Sequence, residues 1–249
     1  MARKKIVFII VEGPSDEEAL GVILNRIYSS NTVYVHIMHC DVTTERGATA
    51  STILSRVGNV IRQYAASNHY KKADFKEIIH ILDMDGAYIP NENVVEDHEA
   101  GRLMYSTTDI RTSDKQKIEQ RNQQKRSNIN VLSARKVIWD TPYKAFYMSC
   151  NLDHVLYNKL NSSDEEKEVD SFNFAKKYKD NIHDFSNFIS CSCFSVMNGY
   201  QESWDYIQQG LHSLERHTNL GLCFKEDWSN ETRNRTADIK GDSPYGANK

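Results

Sequence analysis

The 249 residues contain no apolar run near the 18–20 residues, roughly, that a membrane-spanning helix needs. Charge of one sign is also missing. Lys and Arg total 31 against 34 Asp and Glu, a net charge of −3, so nucleic acid would have to be met by a local basic patch. Cysteine is scarce: Cys40, Cys150, Cys191, Cys193 and Cys223 are odd in number and scattered. That argues against a disulfide framework and for a reducing cytoplasm, where the sequons at Asn161 and Asn230 carry no meaning. Cys191-Ser-Cys193 lacks the two-residue gap and the second pair of a zinc site. The basic start, Met1 to Lys5, leads within a few residues to Glu12 and reads as a first strand, not a signal peptide. What is present is ordinary: 39% hydrophobic and 26% charged residues, with enough chain for a large core.

Two stretches stand out. Lys76 to Gly86 reads Lys-Glu-Ile-Ile-His-Ile-Leu-Asp-Met-Asp-Gly, a short apolar run that suits a strand buried on both faces. It ends in Asp83 and Asp85 before a glycine turn, by itself no more than a charged turn. Lys5 to Val11 is a second such strand, stopping at Glu12-Gly13-Pro14-Ser15-Asp16. Ser15 and Glu18 have capping-box spacing, and Ala19, Leu20, Ile23, Leu24 and Ile27 give the helix that follows an apolar face. Thr32 to Met38 reads as a strand and Ala48 to Ala66 as an amphipathic helix. The order β-α-β-α-β predicts a mostly parallel sheet flanked by helices, an α/β fold of Rossmann-like type. Glu12, Asp83 and Asp85 then lie at carboxyl ends of strands. If those strands are neighbours, about 5 Å separates them and the acids converge.

Tyr88 to Ala100 reads as a loop and Leu103 to Ser106 as a short strand. Ser113 to Ser127 is a polar helix with Ser113 as its cap; Lys117, Arg121 and Lys125 share one face, either solvated or a rail for phosphates. Lys144 to Ser149 is a further strand, and a helix begins near Leu152. Ser162 to Val169 is an acidic surface stretch. Residues 151–228 read as mainly helical, packed on the sheet or as a small lobe beside the α/β domain of residues 1–150. The polar stretch 229–249 is expected to be poorly ordered.

Val-Glu-Gly-Pro-Ser-Asp (Val11 to Asp16) followed by Leu-Asp-Met-Asp-Gly (Leu82 to Gly86) resembles the Toprim domain. That fold occurs in topoisomerases, primases and nucleases, including those of the overcoming-lysogenisation-defect type. The resemblance spans residues 5–110 and implies that Glu12, Asp83 and Asp85 bind Mg²⁺ or Mn²⁺. It also matches Asp16 to a nuclease acid and makes Asp153 a candidate further ligand and Lys144 a candidate catalytic lysine. The chemistry agrees with this, because phosphodiester cleavage needs charge neutralisation and an activated oxygen, which carboxylate-held metal ions supply. The activity it implies is a metal-dependent nuclease on DNA or RNA, in phage defence or nucleic-acid processing. No tyrosine-bearing cleavage domain, zinc module or Walker sequence is recognisable, which disfavours a topoisomerase, a replicative primase or an ATPase within this chain. A separate ATPase partner and a homo-oligomer stay open. Two other readings also stay open: a haloacid-dehalogenase-like phosphatase, disfavoured by Ala87 in place of its threonine, and a catalytically silent Toprim-like binding module.

Overall fold

Strand β1 (Lys5–Val11) is the apolar axis of the molecule: Ile6 to Val11 are all buried, so both of its faces must be covered. The computed structural model describes residues 4–29 and 33–224. In chain order, β1 is followed by α1 (Pro14–Tyr28), β2 (Val33–His39), α2 (Ile53–Ser67) and β3 (Phe75–Asp83). Then come β4 (Val94–Glu96), β5 (Met104–Tyr105), β6 (Ile110–Thr112), α3 (Lys115–Ser133), β7 (Val137–Ile138) and β8 (Thr141–Met148). Helices α4 (Leu152–Tyr157), α5 (Asp164–Tyr178), α6 (Ile182–Cys191) and α7 (Tyr200–Ile207) follow. The stretch expected to be poorly ordered, 229–249, lies outside the described residues.

The main sheet has the order β2-β1-β3-β8-β7. Its first four strands are parallel and β7 is antiparallel, so the fold is α/β with a mostly parallel sheet, as the strand–helix alternation implies. Strands β1 and β3 are direct neighbours, with Ile10 opposite His80. Alternation sends Ile6, Phe8 and Ile10 to one face, under Ile53, Val57 and Ile61 of α2, Ile129 and Leu132 of α3, and Trp204 of α7. Val7, Ile9 and Val11 face the other side, against Leu20 and Ile23 of α1, Phe174 of α5, and Phe185 and Ile189 of α6. Each such side chain contributes about 1.5–3 kcal/mol relative to exposure. The C-terminal helices therefore share the sheet's core on both faces and do not form a lobe apart.

That C-terminal part also closes the sheet. Beyond the short β7, the outer edge of β8 would leave main-chain groups unpaired, and side chains take them. The Tyr200 hydroxyl accepts from Ala145 N at 3.1 Å and donates to Ala145 O at 2.9 Å. Asn219 Oδ1 accepts from Tyr147 N at 2.8 Å, and the Thr218 hydroxyl donates to Tyr147 O at 2.6 Å.

Several expectations shift in detail. Helix α1 starts at Pro14 with Gly13 as its N-cap, and the reach-back acid is Asp16, which accepts from Gly13 N at 2.9 Å; Ser15 is not the cap. Asp114, not Ser113, caps α3, accepting from Lys117 N at 2.9 Å. The stretch 88–100, expected to be loop, contributes β4 to a small second sheet of order β4-β6-β5. The acidic stretch 162–169 runs into α5, where Ser163 and Glu166 form a reciprocal capping box.

Candidate active site

Because β1 sits between β2 and β3, the chain leaves β1 to one side and returns on the other. The carboxyl ends of β1 and β3 flank the point where strand order reverses, the usual place for a ligand in an open α/β sheet. Glu12 follows β1 directly, Asp83 ends β3, and Asp85 stands two residues beyond. The acidic turn is pinned from outside the strand: Met84 N donates to Met148 O at 2.9 Å, Asp85 N to Cys150 O at 2.6 Å and Gly86 N to Ser213 O at 3.2 Å. Asp85 takes φ +47° and Gly86 φ +67°. A Cβ on Gly86 would lie 2.8 Å from Leu214 Cδ2 and 2.9 Å from Ile110 Cδ1, so glycine is required there on two counts.

Helix α3 closes the site from above, with a buried face that is partly polar. Ile118, Asn122, Lys125, Ile129 and Leu132 recur at helical spacing and are all buried. Lys125 is 0% exposed. Its ammonium donates to Glu12 Oε2 at 3.2 Å and to the Asp85 carboxylate, whose own exposures are 11% and 23%. Arg121, one turn earlier, donates to Tyr105 Oη and to the main-chain oxygen of Asp85, both at 2.8 Å, and to Asn122 Oδ1. Tyr105 in turn donates to Asp85 Oδ1 at 3.4 Å. The loop after β2 adds Asp41, whose carboxylate accepts from Thr43 N at 3.0 Å and Thr44 N at 3.2 Å. The Thr43 hydroxyl lies 3.0 Å from Asp41 Oδ1 and 3.5 Å from Glu12 Oε1.

The electrostatics follow from burial and sign. Burial pushes the Glu12 carboxyl up to about 8, against the pull of Lys125 and with Asp85 and Asp41 adding to it. Burial, then Asp16, Glu12 and Asp85, pushes Asp83 well above the usual carboxylate range. Burial would raise Asp85 too, but Lys125 and Arg121 outweigh it and hold that carboxyl low. Burial opposes the charge on Lys125, yet Asp85, Glu12, Asp83 and Asp41 together keep it protonated. Four carboxylates (Glu12, Asp41, Asp83, Asp85) thus face two cations (Lys125, Arg121), and burial first, then the excess of acids, raises Glu12 and Asp83.

As the side chains stand, no three His, Cys, Asp or Glu residues among those described form a set of metal ligands. Lys125 Nζ bridges two of the three carboxylates expected to share an ion. The donor set still fits a hard divalent cation in charge and chemistry: carboxylate oxygens at the strand ends with two positive charges too few. Glu12, Asp83 and Asp85 are the residues that would hold it.

The remaining expected residues divide. Asp16 is buried and adds to the charge that raises Asp83; its own carboxyl is raised to about 6 by burial, against Gly13 N and with Asp153 adding. Asp153, in the first turn of α4, is buried and lies 3.9 Å from Lys167 Nζ. These two acids extend the cluster on the α1 side. Lys144 does not join it: it is exposed and pairs with Ile79, four residues back from the Asp83–Met148 pair and roughly 13 Å along the strand. The basic rail also fails as a unit. Lys117 is exposed, Arg121 is half-buried in the site, and Lys125 is the site's internal counter-ion, out of reach of a phosphate chain.

Asp41, Thr43, Tyr105 and Asn122 were not anticipated. Asp41 carried a signal, standing two residues past the end of a third parallel strand, as Asp85 does after β3. Tyr105 carried none. No family model, curated protein or solved structure matches this chain.

Proposed function

We propose that this chain is a metal-dependent nuclease with a Toprim-type α/β domain, cleaving phosphodiesters of DNA or RNA with Glu12, Asp83 and Asp85 holding Mg²⁺ or Mn²⁺. The observation that carries the reading is the gathering of Glu12, Asp83 and Asp85 at the switch point between β1 and β3, more carboxyls than the cations beside them can pair. A bound ion would supply Lewis acidity toward the phosphate and acidify a water. Glu12 would either ligate that ion directly or act as general base to the water. Arg121 and Tyr105 fix the position of Asp85, and Asp16 and Asp153 extend the acidic edge.

The test is cleavage of plasmid DNA, single-stranded DNA and structured RNA with MgCl₂ or MnCl₂. Glu12→Gln and Asp83→Asn should each lower cleavage at least 100-fold. Persistence of cleavage in both variants would sink the proposal, and hydrolysis of a phosphomonoester without nucleic-acid cleavage would favour the dehalogenase-like phosphatase.

One observation favours a second reading. Lys125 already serves as counter-ion to Glu12 and Asp85, which is what a silent nucleic-acid-binding module would need. Metal-independent binding of nucleic acid without turnover would decide for that module.

A further inference from the structure

At the other end of the same strands lies a cavity of about 540 Å³ that the acidic site does not use. It opens beside Ile78 and Tyr143, five residues back along the strands from the Asp83–Met148 pair, roughly 16 Å away. Its volume is in the range of small-molecule sites, about 300–1,000 Å³. Tyr143, Phe146 and Tyr200 form apolar walls. Both tyrosines have their hydroxyls engaged elsewhere: Tyr143 with His80 Nδ1 at 2.9 Å, and Tyr200 with the main chain of Ala145. What they offer the cavity is ring surface.

The rim carries an excess of positive charge. Arg135, Lys136 and Lys144 all line the cavity and are exposed, and none has an ion-pair partner among the described residues. The one acid in the lining, Glu77, lies 3.5 Å from Lys76 Nζ and is thereby offset. Three unpaired cations around aromatic walls form the complement of an amphipathic anion. Lys144, which does not reach the acidic site, finds a role here.

We propose that this cavity binds a small anion with an aromatic or aliphatic body, the body lodged against Tyr143, Phe146 and Tyr200 and the anionic group held by Arg135, Lys136 and Lys144. The proposal is independent of the nuclease reading, because none of these residues belongs to the acidic site.

The aromatic sulfonate 8-anilinonaphthalene-1-sulfonate is the probe, with uncharged N-phenyl-1-naphthylamine as its neutral counterpart. On the full chain the sulfonate should show one saturable site by fluorescence. The double variant Arg135→Glu/Lys144→Glu should weaken it at least tenfold while leaving the neutral probe unchanged, and the exposed positions of both residues keep the fold intact. Ser133→Trp, which sets a bulky ring at the cavity lining, should weaken both probes. Non-saturable uptake of the sulfonate, equal affinity in the double variant, or undiminished binding of both probes in Ser133→Trp would each overturn the proposal.

Discussion

Replacing Lys125 with methionine removes the only fully buried ammonium in the described core and keeps most of its volume. Where Glu12 is ionised, at 3.2 Å from its Oε2 and an effective dielectric constant of about 20, the pair attracts by roughly 5 kcal/mol, and the Asp85 carboxylate, held low, supplies the pairing at neutral pH. Burying the ammonium takes back much of that, but deletion of one partner strands charges that stay buried, at a cost of about 3–5 kcal/mol. In a chain of this size that is a fall in Tm of roughly 10 °C. The assay is urea and thermal unfolding of wild type and Lys125→Met at neutral pH in EDTA, then in millimolar MgCl₂. The folded pKa of Lys125 is raised, so its contribution is complete below the unfolded value near 10.4 and is lost only as pH rises through the folded one. Its own titration therefore does not intrude at neutral pH. The gap between the proteins should narrow on acidification, as the stranded carboxyls take up protons. It should also narrow with Mg²⁺, which offers the variant a replacement counter-ion. A variant as stable as wild type in EDTA would refute the assignment of Lys125 as the counter-ion of Glu12 and Asp85.

Glu12 makes a separable prediction in a lower pH window. Its carboxyl is raised from 4.5 to about 8, so the folded state holds the proton more tightly than the unfolded one. Without metal, stability should be greatest below about pH 4.5 as far as this group is concerned, and should decline as pH rises from there to about 8. Glu12→Gln should flatten that slope in a series of urea midpoints, and an unchanged slope would count against the burial argument. Gly86→Ala should cost about 1–3 kcal/mol in thermal unfolding, since φ is positive and its Cβ meets Leu214 and Ile110. Gly101→Ala, with open space around it, is the matched control and should be close to neutral.

The parts of the site that could be read ahead of the structure are those fixed by strand periodicity. Apolar runs at Lys5–Val11 and within Lys76–Gly86 announce strands buried on both faces, and acids at or just past their ends fall on one edge of a parallel sheet. Their adjacency is settled by topology, a long-range property that local pattern does not carry. Helix α3 misled for a physical reason. Its mean composition is polar, but the face at positions 118, 122, 125, 129 and 132 mixes Ile and Leu with Asn and Lys, and that face is the buried one. Three cations at i, i+4 and i+8 looked like a surface because a buried lysine is rare without partners. Here the partners, Asp85 and Glu12, stand just past the ends of two strands, 40 and 113 residues away in sequence. Lys144 is a candidate only through the family resemblance, and its register, opposite Ile79, places it toward the other end of the strand.

The hydrogen bonds that shape the acidic turn have a consequence for the order of events during synthesis. Asp85 N waits for the carbonyl of Cys150, and Gly86 N for that of Ser213, 127 residues downstream. A nascent chain that has emitted both acidic motifs possesses the charges but not the loop that aims them. The ribosome has to deliver residue 213 before those bonds can form, so a chain that stops short of it holds both acids without the loop geometry that arranges them.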